Sequence, residues 1–428
     1  MVGNNRLGVL KIRKRPVQDW LVMVFFFLPF MLAFATEILR LPSFIKYLMD
    51  ILLVALTAVL VIRKRFVITA KLRPLAIMLS FFLVYALIGY LFNFQSPFYL
   101  IWGLRNTFRF YLAFFVFTMY LCEEDGHNWL GFLDVIFWID IVVAAFQFFV
   151  IKTHQDLLGG IFGVSSNSNG YTLVFFCIVV GKSLLSAFNG TEKYRYCLLK
   201  CLAALLVAAM AEIKFFYVAF AIILLIAAVL TEFSKKKILV IISLVLALVI
   251  ASSLLSFWYS EFEGFFSLKT LWESATKDNY SSQKDLNRLS AVSTLMNKYI
   301  TDPIDRLFGL GIGNCDMSEI AIFNSSFYQS YGFLHYYWFA FAMVFLEMGF
   351  VGLGLYFGFF IACIIACGVY MKRKTANRFF CQLAILVSVM CIVISFYSAA
   401  LRVEAGYMAY FVLALPFINE EKAEAHIE

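Results

Sequence analysis

Apolar runs of membrane-spanning length recur along almost the whole chain and constrain its fold more than any other feature. A helix needs about 20 apolar residues to cross roughly 30 Å of hydrocarbon. Such runs are interrupted by one long polar interval, near residues 260–335. The composition agrees, since 63% of the 428 residues are hydrophobic and 14% are charged. Spanning strands would alternate polar and apolar residues, so the sequence predicts an all-α polytopic integral membrane protein.

We predict about twelve spans, each a continuous apolar run bounded by charged or turn-forming residues. They cover residues 20–38, 44–62, 75–92, 110–122, 130–151, 171–185, 198–213, 215–230, 238–257, 349–370, 379–399 and 407–418. Clusters of Lys and Arg at residues 63–65, 235–237 and 372–378 follow alternate spans. By the positive-inside rule these turns and both termini are expected in the cytoplasm, with the polar loop outside.

The chain accordingly divides into three predicted parts. Residues 1–257 hold nine spans, residues 258–348 form a large extracytoplasmic loop with an interfacial helix, and residues 349–428 hold three spans and a cytoplasmic tail. The apolar stretch that ends the loop would exceed about 50 Å as one helix, so we predict a break near Met348 and Gly349. Almost no loop separates the spans on either side of Lys214, which predicts a tight hairpin or a broken helix.

Several function classes are disfavoured by motifs that the sequence lacks. It has no Walker A loop, no GxGxxG, no HExxH, no GxSxG and no DxD pair. The net charge of +8 comes from residues at helix ends rather than from a basic stripe, so nucleic acid is not an expected partner. Eight of the nine cysteines lie in or beside apolar runs, and we interpret the cysteines as packing residues. An enzyme of this kind would work without nucleotides and would meet charged substrate groups with its own cations.

Five cations lie in the loop or at the predicted outer ends of spans: Arg105, Arg109, Lys214, Arg288 and Arg402. A cation at the end of an apolar helix is costly unless it snorkels or pairs. Each one alone is explained equally well in that way, for example by a pair of Arg402 with Glu404. Five on one side favour an anion site, because guanidinium groups match phosphate oxygens in a bidentate way. We therefore predict a pyrophosphate site at the membrane interface.

His335 is the candidate general base. It lies on the predicted outer side, and a neutral imidazole with an ordinary pKa near 6.5 is suited to accept a hydroxyl proton. The alternative is a histidine that merely satisfies a helix N-terminus. Glu347 lies twelve residues further on, near the expected membrane surface, where its carboxylate would pair with one of the cations.

Four segments carry a family resemblance. Arg288, then a predicted helix, then DPIDRLFGLGIGN resembles an "Arg, helix, alternating glycine" pattern, and His335 with LEMGFVGLGLYF resembles a "His-Asn-x-x-Leu … Glu-x-Gly" segment. AEIKFF and GIFGVSSNSNGYT resemble a cationic element and an Asn-rich outer turn. These patterns are similar to those of the Wzy-type O-antigen and capsular polysaccharide polymerases, which share their fold with the O-antigen ligases. The chain departs from them at Tyr336 (usually Asn), at Asp305 and Arg306 within the glycine element, and at Lys214, where the ligases carry Arg.

The resemblance implies a metal-independent, cofactor-free, GT-C-like glycosyltransferase of the bacterial cytoplasmic membrane. Its donor would be a glycan on undecaprenyl pyrophosphate and its acceptor another lipid-linked repeat unit, giving an O-antigen, capsule or exopolysaccharide. Arg288 and Lys214, with Arg105 and Arg109 in support, would stabilise the leaving pyrophosphate. His335 would accept the hydroxyl proton or orient the acceptor. A chain-length regulator and a flippase are further candidate partners.

Three alternatives stay open. A ligase would transfer finished glycan to a different acceptor, and the sequence separates it only weakly from a polymerase. A lipid-linked oligosaccharide flippase or another transporter would usually place charges near the bilayer midplane and keep short loops, unlike this chain. A non-catalytic assembly subunit would leave Arg288 and His335 unexplained.

Overall fold

The computed structural model describes residues 17–37, 39–165, 168–232, 235–258 and 285–418. Within these ranges the chain is helical and contains no β-strand, so the predicted all-α class is confirmed. The basic N-terminal tail, residues 259–284 of the polar loop and the charged C-terminal tail lie outside the described residues.

Fifteen α-helices make up the described ranges, and all but three short helices in the loop are predominantly apolar. They are α1 (Val17–Glu37), α2 (Tyr47–Ile62), α3 (Arg73–Phe92), α4 (Pro97–Tyr120), α5 (Glu123–Phe146), α6 (Ser168–Phe188), α7 (Tyr194–Met210), α8 (Lys214–Leu230), α9 (Lys235–Trp258), α10 (Ala291–Lys298), α11 (Pro303–Phe308), α12 (Ser326–Tyr331), α13 (Ala340–Arg373), α14 (Arg378–Tyr397) and α15 (Ala405–Ala414).

Six segments of the described chain are long and apolar enough to cross a membrane. They are Phe44–Ile62, Arg73–Phe92, Glu123–Ile151, Ser168–Phe188, Ala340–Arg373 and Arg378–Tyr397. Helices α1, α8, α9 and α15 contain shorter apolar segments. The chain therefore has the composition and helix lengths of a membrane protein, and twelve spans remain a prediction.

Helix α6 forms the centre of the bundle. Of its apolar membrane-length window, 94% is buried inside the protein, where it packs against α7, α8, α14 and α15. Around it the core is rich in aromatic rings. Phe26, for example, has its ring centre 4.6 Å from the rings of both Trp129 and Phe411. Aromatic pairs of this kind add about 0.5–1.5 kcal/mol beyond their buried area.

Contacts between distant segments define two ends of the bundle. At one end the Tyr370 hydroxyl donates to the Lys71 carbonyl at 2.7 Å, and the Asn377 amide donates to the Glu123 carboxylate at 2.5 Å. At the other end the N-terminus of α4 and the end of α14 meet the described part of the polar loop. The N-terminus of α6 and the turn between α7 and α8 lie at this end as well. The functional residues predicted from the sequence lie at this second end, which we refer to as the loop end.

Helix α13 breaks at Gly349, as predicted from its length. Gly349 has a φ of +62°, and a Cβ there would lie 2.3 Å from the Leu307 carbonyl oxygen. Gly309 faces it with a φ of +78°, and its Cβ would lie 2.3 Å from the Met348 amide nitrogen. The two glycines therefore let the loop backbone cross the broken helix. The predicted tight hairpin is also confirmed, since only residues 211–213 separate α7 from α8.

Candidate functional site

His335 lies beside Asp285, a residue with no role predicted from the sequence. The His335 Nδ1 and Asp285 Oδ1 atoms are 2.5 Å apart, and Asp285 is buried whereas His335 is half-buried. A carboxylate at Nδ1 favours the neutral tautomer that carries its proton there. From this hydrogen bond we assign the proton of the neutral ring to Nδ1. Nε2 is then the ring atom that is able to accept a proton.

The backbone around His335 is strained and held from two sides. Its φ of +52° lies in the left-handed region, which costs a non-glycine residue about 1–2 kcal/mol. The Leu286 amide donates to the Leu334 carbonyl at 3.1 Å, so the segment that carries Asp285 runs beside the turn that carries His335. The imidazole also stacks on Trp338, with ring centres 4.3 Å apart. Strain maintained by surrounding contacts is frequent at functional sites.

Arg288 and the turn that bears Lys214 converge on Tyr397, at the end of α14. The Arg288 guanidinium carbon lies 4.5 Å from the centre of the Tyr397 ring. The Phe215 ring stacks on that same ring, with centres 4.1 Å apart and planes 10° from parallel. Lys214, next to Phe215, begins α8, and its ammonium lies 2.9 Å from the Glu212 carboxylate. Arg288 and the residue next to Lys214, from distant parts of the chain, thus contact the same aromatic ring.

The Asn-rich turn reaches the same region. The Asn169 amide nitrogen lies 2.7 Å from the Asp156 carboxylate and 3.4 Å from the Ala211 carbonyl, which belongs to the turn before Lys214. The backbone hydrogen bonds from Leu286 to Leu334 and from Ala340 to Ser398 bring the segments that carry His335 and Tyr397 together. We refer to the residues of these two groups as the His335 cluster: Lys214, Phe215, Asp285, Arg288, His335, Trp338 and Tyr397.

A second group of charges lies at the loop end and is largely buried. It consists of Arg105, Arg109, Arg402, Asp50, Asp316, Glu347 and Glu404. We refer to it as the buried ion network. Its carboxylates outnumber its guanidinium groups by one. Three of the cations predicted to bind pyrophosphate are therefore paired with carboxylates of the protein itself.

Arg402 holds one half of the buried ion network. Its guanidinium lies 3.0 Å from the Asp316 carboxylate and 3.2 Å from that of Glu347. Burial alone would lower the pKa of Arg402, but the charges of these two carboxylates raise it, so the guanidinium stays protonated. Glu347 also accepts a hydrogen bond from the Gly313 amide at 3.1 Å, and its side chain has no exposed surface. The predicted pairing of Glu347 with a cation is thus observed, inside the protein.

Arg109 and Glu404 form the other half. The Arg109 guanidinium lies 3.2 Å from Glu404 and 3.4 Å from Asp50, and the Tyr171 hydroxyl donates to Glu404 at 2.6 Å. Burial alone would raise the pKa of Glu404, but the charge of Arg109 and the Tyr171 hydrogen bond lower it to about 2. The pair of Arg402 with Glu404, considered as an alternative to an anion site, is not observed, because Arg109 reaches Glu404 from α4.

Arg105 lies at the edge of the buried ion network. It is 2.7 Å from Asp50, and its guanidinium lies 4.8 Å from the ring centres of both Tyr47 and Trp102. Its side chain is 20% exposed, compared with 6% for Arg109 and 9% for Arg402. Arg105 is therefore the most accessible arginine of the network.

Two of the departures from the family pattern have structural roles. Arg306 donates to the carbonyl oxygens of Met296 and Ile300, both at 2.9 Å, and so satisfies the end of α10. Tyr336 is fully buried and donates its hydroxyl hydrogen to the Cys315 carbonyl at 2.7 Å. Both residues stabilise the described part of the loop around the site.

The sequence contained signals for two of the three acidic partners that were not predicted. Asp50 is a carboxylate inside an apolar run, and such a residue usually pairs with a cation from another helix. Asp285 lies only three positions before Arg288 in the polar interval. Asp316 carried no comparable signal, because its pairing with Arg402 depends entirely on how the glycine-rich turn folds.

Among the described residues, no cluster of three or more His, Cys, Asp or Glu side chains is arranged to hold a metal ion. None of the nine cysteines forms a disulfide, and eight of them are buried, as expected for packing residues. Burial raises the pKa of the Cys315 thiol in the loop, which keeps it protonated. No protein-family model matches the chain, and no curated protein sequence is significantly similar to it.

Proposed function

We propose that this protein is a polysaccharide polymerase that joins lipid-pyrophosphate-linked repeat units at the outer face of the bacterial cytoplasmic membrane. One observation carries the proposal. Arg288, His335 and the turn that bears Lys214 come from three distant segments, yet they assemble around one place at the loop end. Cations can neutralise a leaving pyrophosphate, and an imidazole bonded to a carboxylate can accept a hydroxyl proton, so this set of residues suits glycosyl transfer from a pyrophosphate.

The reaction would proceed in one displacement. A hydroxyl oxygen of the acceptor sugar forms a bond to the anomeric carbon of the donor glycan, and the bond from that carbon to the pyrophosphate oxygen breaks. The electron pair leaves with the lipid pyrophosphate. The hydroxyl proton passes to Nε2 of His335. The other ring nitrogen of His335, Nδ1, lies 2.5 Å from the Asp285 carboxylate.

The residues of the His335 cluster would have different roles in this reaction. Asp285 stabilises the imidazolium that forms, and so acts as a positioning residue through His335. Arg288 and Lys214 neutralise the charge that develops on the leaving pyrophosphate. Because Arg402 is occupied by two buried carboxylates, we assign it, with Glu347, to the framework of the site instead of the pyrophosphate. Arg109 is also paired with two carboxylates, but within the described ranges its Nε atom has no hydrogen-bond partner. Arg109 and the more exposed Arg105 therefore remain candidates for the lipid end of the donor.

The test uses the purified protein in detergent with its lipid-linked repeat unit and a gel that resolves glycan length. We expect wild type to form a ladder that Arg288→Ala and His335→Ala abolish while both variants stay monodisperse. Arg378→Ala is the matched control, because its pair with Glu232 is exposed and lies at the opposite end of the bundle.

Other results would favour the rivals. A single transfer of finished glycan to a different acceptor would identify a ligase. If no ladder forms but the lipid-linked unit crosses the bilayer of proteoliposomes, the protein is a transporter. In that case the residues of the His335 cluster would bind the lipid-linked unit during its transport.

A further inference from the structure

A cavity of about 450 Å³ lies between α2, α3 and α4, and the proposed reaction does not use it. Leu104, Phe108, Leu112 and Phe115 recur at helical spacing and form its wall on α4. From the first to the last of these residues the wall is about 16 Å long at 1.5 Å per residue. We refer to this space as the α2–α4 groove.

The opposite wall is made by α3 and is shaped by small residues. Ala76 and Ser80 alternate there with Leu79 and Leu83. The Ser80 hydroxyl donates to the Ala76 carbonyl of its own helix at 2.8 Å, so the wall presents no unsatisfied polar group at this point. Small side chains leave the space open, and a larger one at Ser80 would fill it.

The α2–α4 groove opens sideways onto the apolar surface of the protein. Two of its lining residues, Val54 and Ile68, are 62% and 44% exposed. Neighbouring side chains outside the groove, including Ile77 and Phe81 on α3, are exposed as well. In a bilayer this surface would face hydrocarbon, so the groove is accessible to lipid chains from the side.

One end of the α2–α4 groove is charged. Asp50, Arg105 and Arg109 line it there, and Arg109 is also paired with Glu404 at 3.2 Å, so carboxylates balance the two cations of this end. Arg109 is 7% exposed, and within the described ranges its Nε atom has no hydrogen-bond partner. A buried donor without a partner is costly, and an anionic oxygen at this end of the groove would satisfy it.

The charged end lies beside the turn that follows the end of α14 and its Tyr397 in the chain. The Arg109 guanidinium donates to the Arg402 carbonyl at 3.1 Å. Arg402 ends the short turn Ala400–Arg402, which begins three residues after Tyr397 of the His335 cluster. A lipid that entered along the groove would therefore have its polar end directed toward the cluster.

We propose that the α2–α4 groove holds the first part of the isoprenoid chain of the lipid-linked donor, with its lipid-proximal phosphate beside Arg105 and Arg109. This inference rests on the proposed function, since it supplies the route by which the donor reaches the His335 cluster. The volume of about 450 Å³ is enough for part of one such chain. At about 30 Å³ per water-sized group, the groove has room for on the order of fifteen such groups.

The experiment uses a polyprenyl pyrophosphate with a photoreactive diazirine in its isoprenoid chain, added to the full-length protein in phosphatidylglycerol nanodiscs. Labelled peptides are mapped by mass spectrometry. We expect adducts on α2, α3 and α4 of wild type, and at least fivefold less labelling in Ser80→Trp. Ile77→Trp is the matched control, because it adds the same ring to the same helix outside the groove, and its labelling should stay within twofold of wild type.

Two outcomes would overturn the inference. In the first, the adducts on wild type are spread evenly over the exposed apolar helices, which would show that the groove does not bind the isoprenoid chain selectively. This result does not depend on the folding of any variant. For the second, excess phosphatidylglycerol and excess unlabelled polyprenyl pyrophosphate are added in separate samples. If both reduce the labelling equally, the groove binds bilayer lipid without a preference for the polyprenyl chain.

The glycan ladder separates this inference from the proposed function. If wild type forms the ladder and the adducts lie elsewhere, the groove assignment alone fails. If the adducts lie in the groove and no ladder forms with any acceptor, the polymerase assignment fails and the groove stands as a polyprenyl pyrophosphate site.

Discussion

The His335 cluster and the buried ion network lie at the same end of the bundle and are built from similar residue types, but they differ in what their charges contact. In the network three guanidinium groups meet four carboxylates. In the cluster the Arg288 guanidinium lies against the Tyr397 ring, and the Lys214 ammonium lies 2.9 Å from the Glu212 carboxylate at a partly exposed turn. Buried charges need partners, whereas a partly exposed pair exchanges its partner at little cost. The number of cations on one side of a membrane therefore does not locate an anion site until their carboxylate partners are known.

Removing Arg402 should have the largest effect of any substitution in either region. Arg402→Ala leaves Glu347 and Asp316 in the protein without their cation, which typically costs about 3–5 kcal/mol. We expect little monodisperse protein by size-exclusion chromatography after detergent extraction, and a normal yield from the Arg378→Ala control. A normal yield of folded but inactive Arg402→Ala would instead place the buried ion network in the catalytic site.

Glu404→Gln tests the other half of the network through its pH dependence. The folded pKa of Glu404, about 2, is below the ordinary value of 4.5. Its stabilising effect is therefore complete above about pH 4.5 and is lost as the pH falls toward 2. We expect Glu404→Gln to melt at a lower temperature than wild type, by an amount that is constant from about pH 8 to pH 5.5 and shrinks below about pH 4. A difference that already shrinks near pH 6 would contradict the pairing with Arg109.

Asp285→Asn should affect rate and leave stability almost unchanged. The amide no longer stabilises a protonated His335, and general base catalysis typically contributes about 10²–10⁴-fold. We expect kcat of ladder formation to fall roughly 100-fold while KM for the lipid-linked unit and the melting temperature stay near wild type. Asp305→Asn, in the short helix α11 of the same loop, is the control and should retain activity. A loss of activity that simply follows a loss of folded protein would make Asp285 a structural residue.

Gly349→Ala tests the backbone crossing that places Glu347 in the network. Alanine at a φ of +62°, with its Cβ 2.3 Å from the Leu307 carbonyl oxygen, should destabilise the protein by about 1–3 kcal/mol. Gly354 is the matched control, because it lies in the same helix and a Cβ there meets no atom within 4 Å. We expect Gly354→Ala to leave the melting temperature unchanged or slightly raised. Equal melting temperatures for the two variants would show that the break in α13 adapts freely.

Lys214→Arg should produce the smallest change. An arginine offers a bidentate fork to phosphate oxygens where lysine offers a point charge, so the positive charge is kept and only its geometry changes. We expect the rate of ladder formation to change by less than about fivefold, compared with a loss of roughly tenfold or more in Lys214→Met. Equal rates for wild type and Lys214→Met would remove this residue from the His335 cluster as a functional group.

Much of the fold was predictable because it depends on local pattern. The break at Gly349 followed from the length of one apolar run, and the hairpin before Lys214 followed from the absence of a loop. The site was predictable only in part. Arg288 and His335 stood out in a polar interval, but Asp285 did not. A carboxylate near an arginine in the sequence can pair with that arginine, with another residue or with water, so its contact with His335 was not predictable. The alternative pair of Arg402 with Glu404 was not observed, because proximity in the chain does not decide which helix supplies the nearest carboxylate.

The sequence by itself determined that this chain forms apolar helices of membrane length. The physical reason is that a backbone in hydrocarbon must satisfy its own hydrogen bonds, and each apolar run does so within itself. Only the tertiary structure decided which cations are paired with carboxylates inside the protein. That property depends on carboxylates such as Asp50 and Asp316, which reach Arg109 and Arg402 across long stretches of chain. Such pairs are selected by the packing of whole helices, which no single segment encodes.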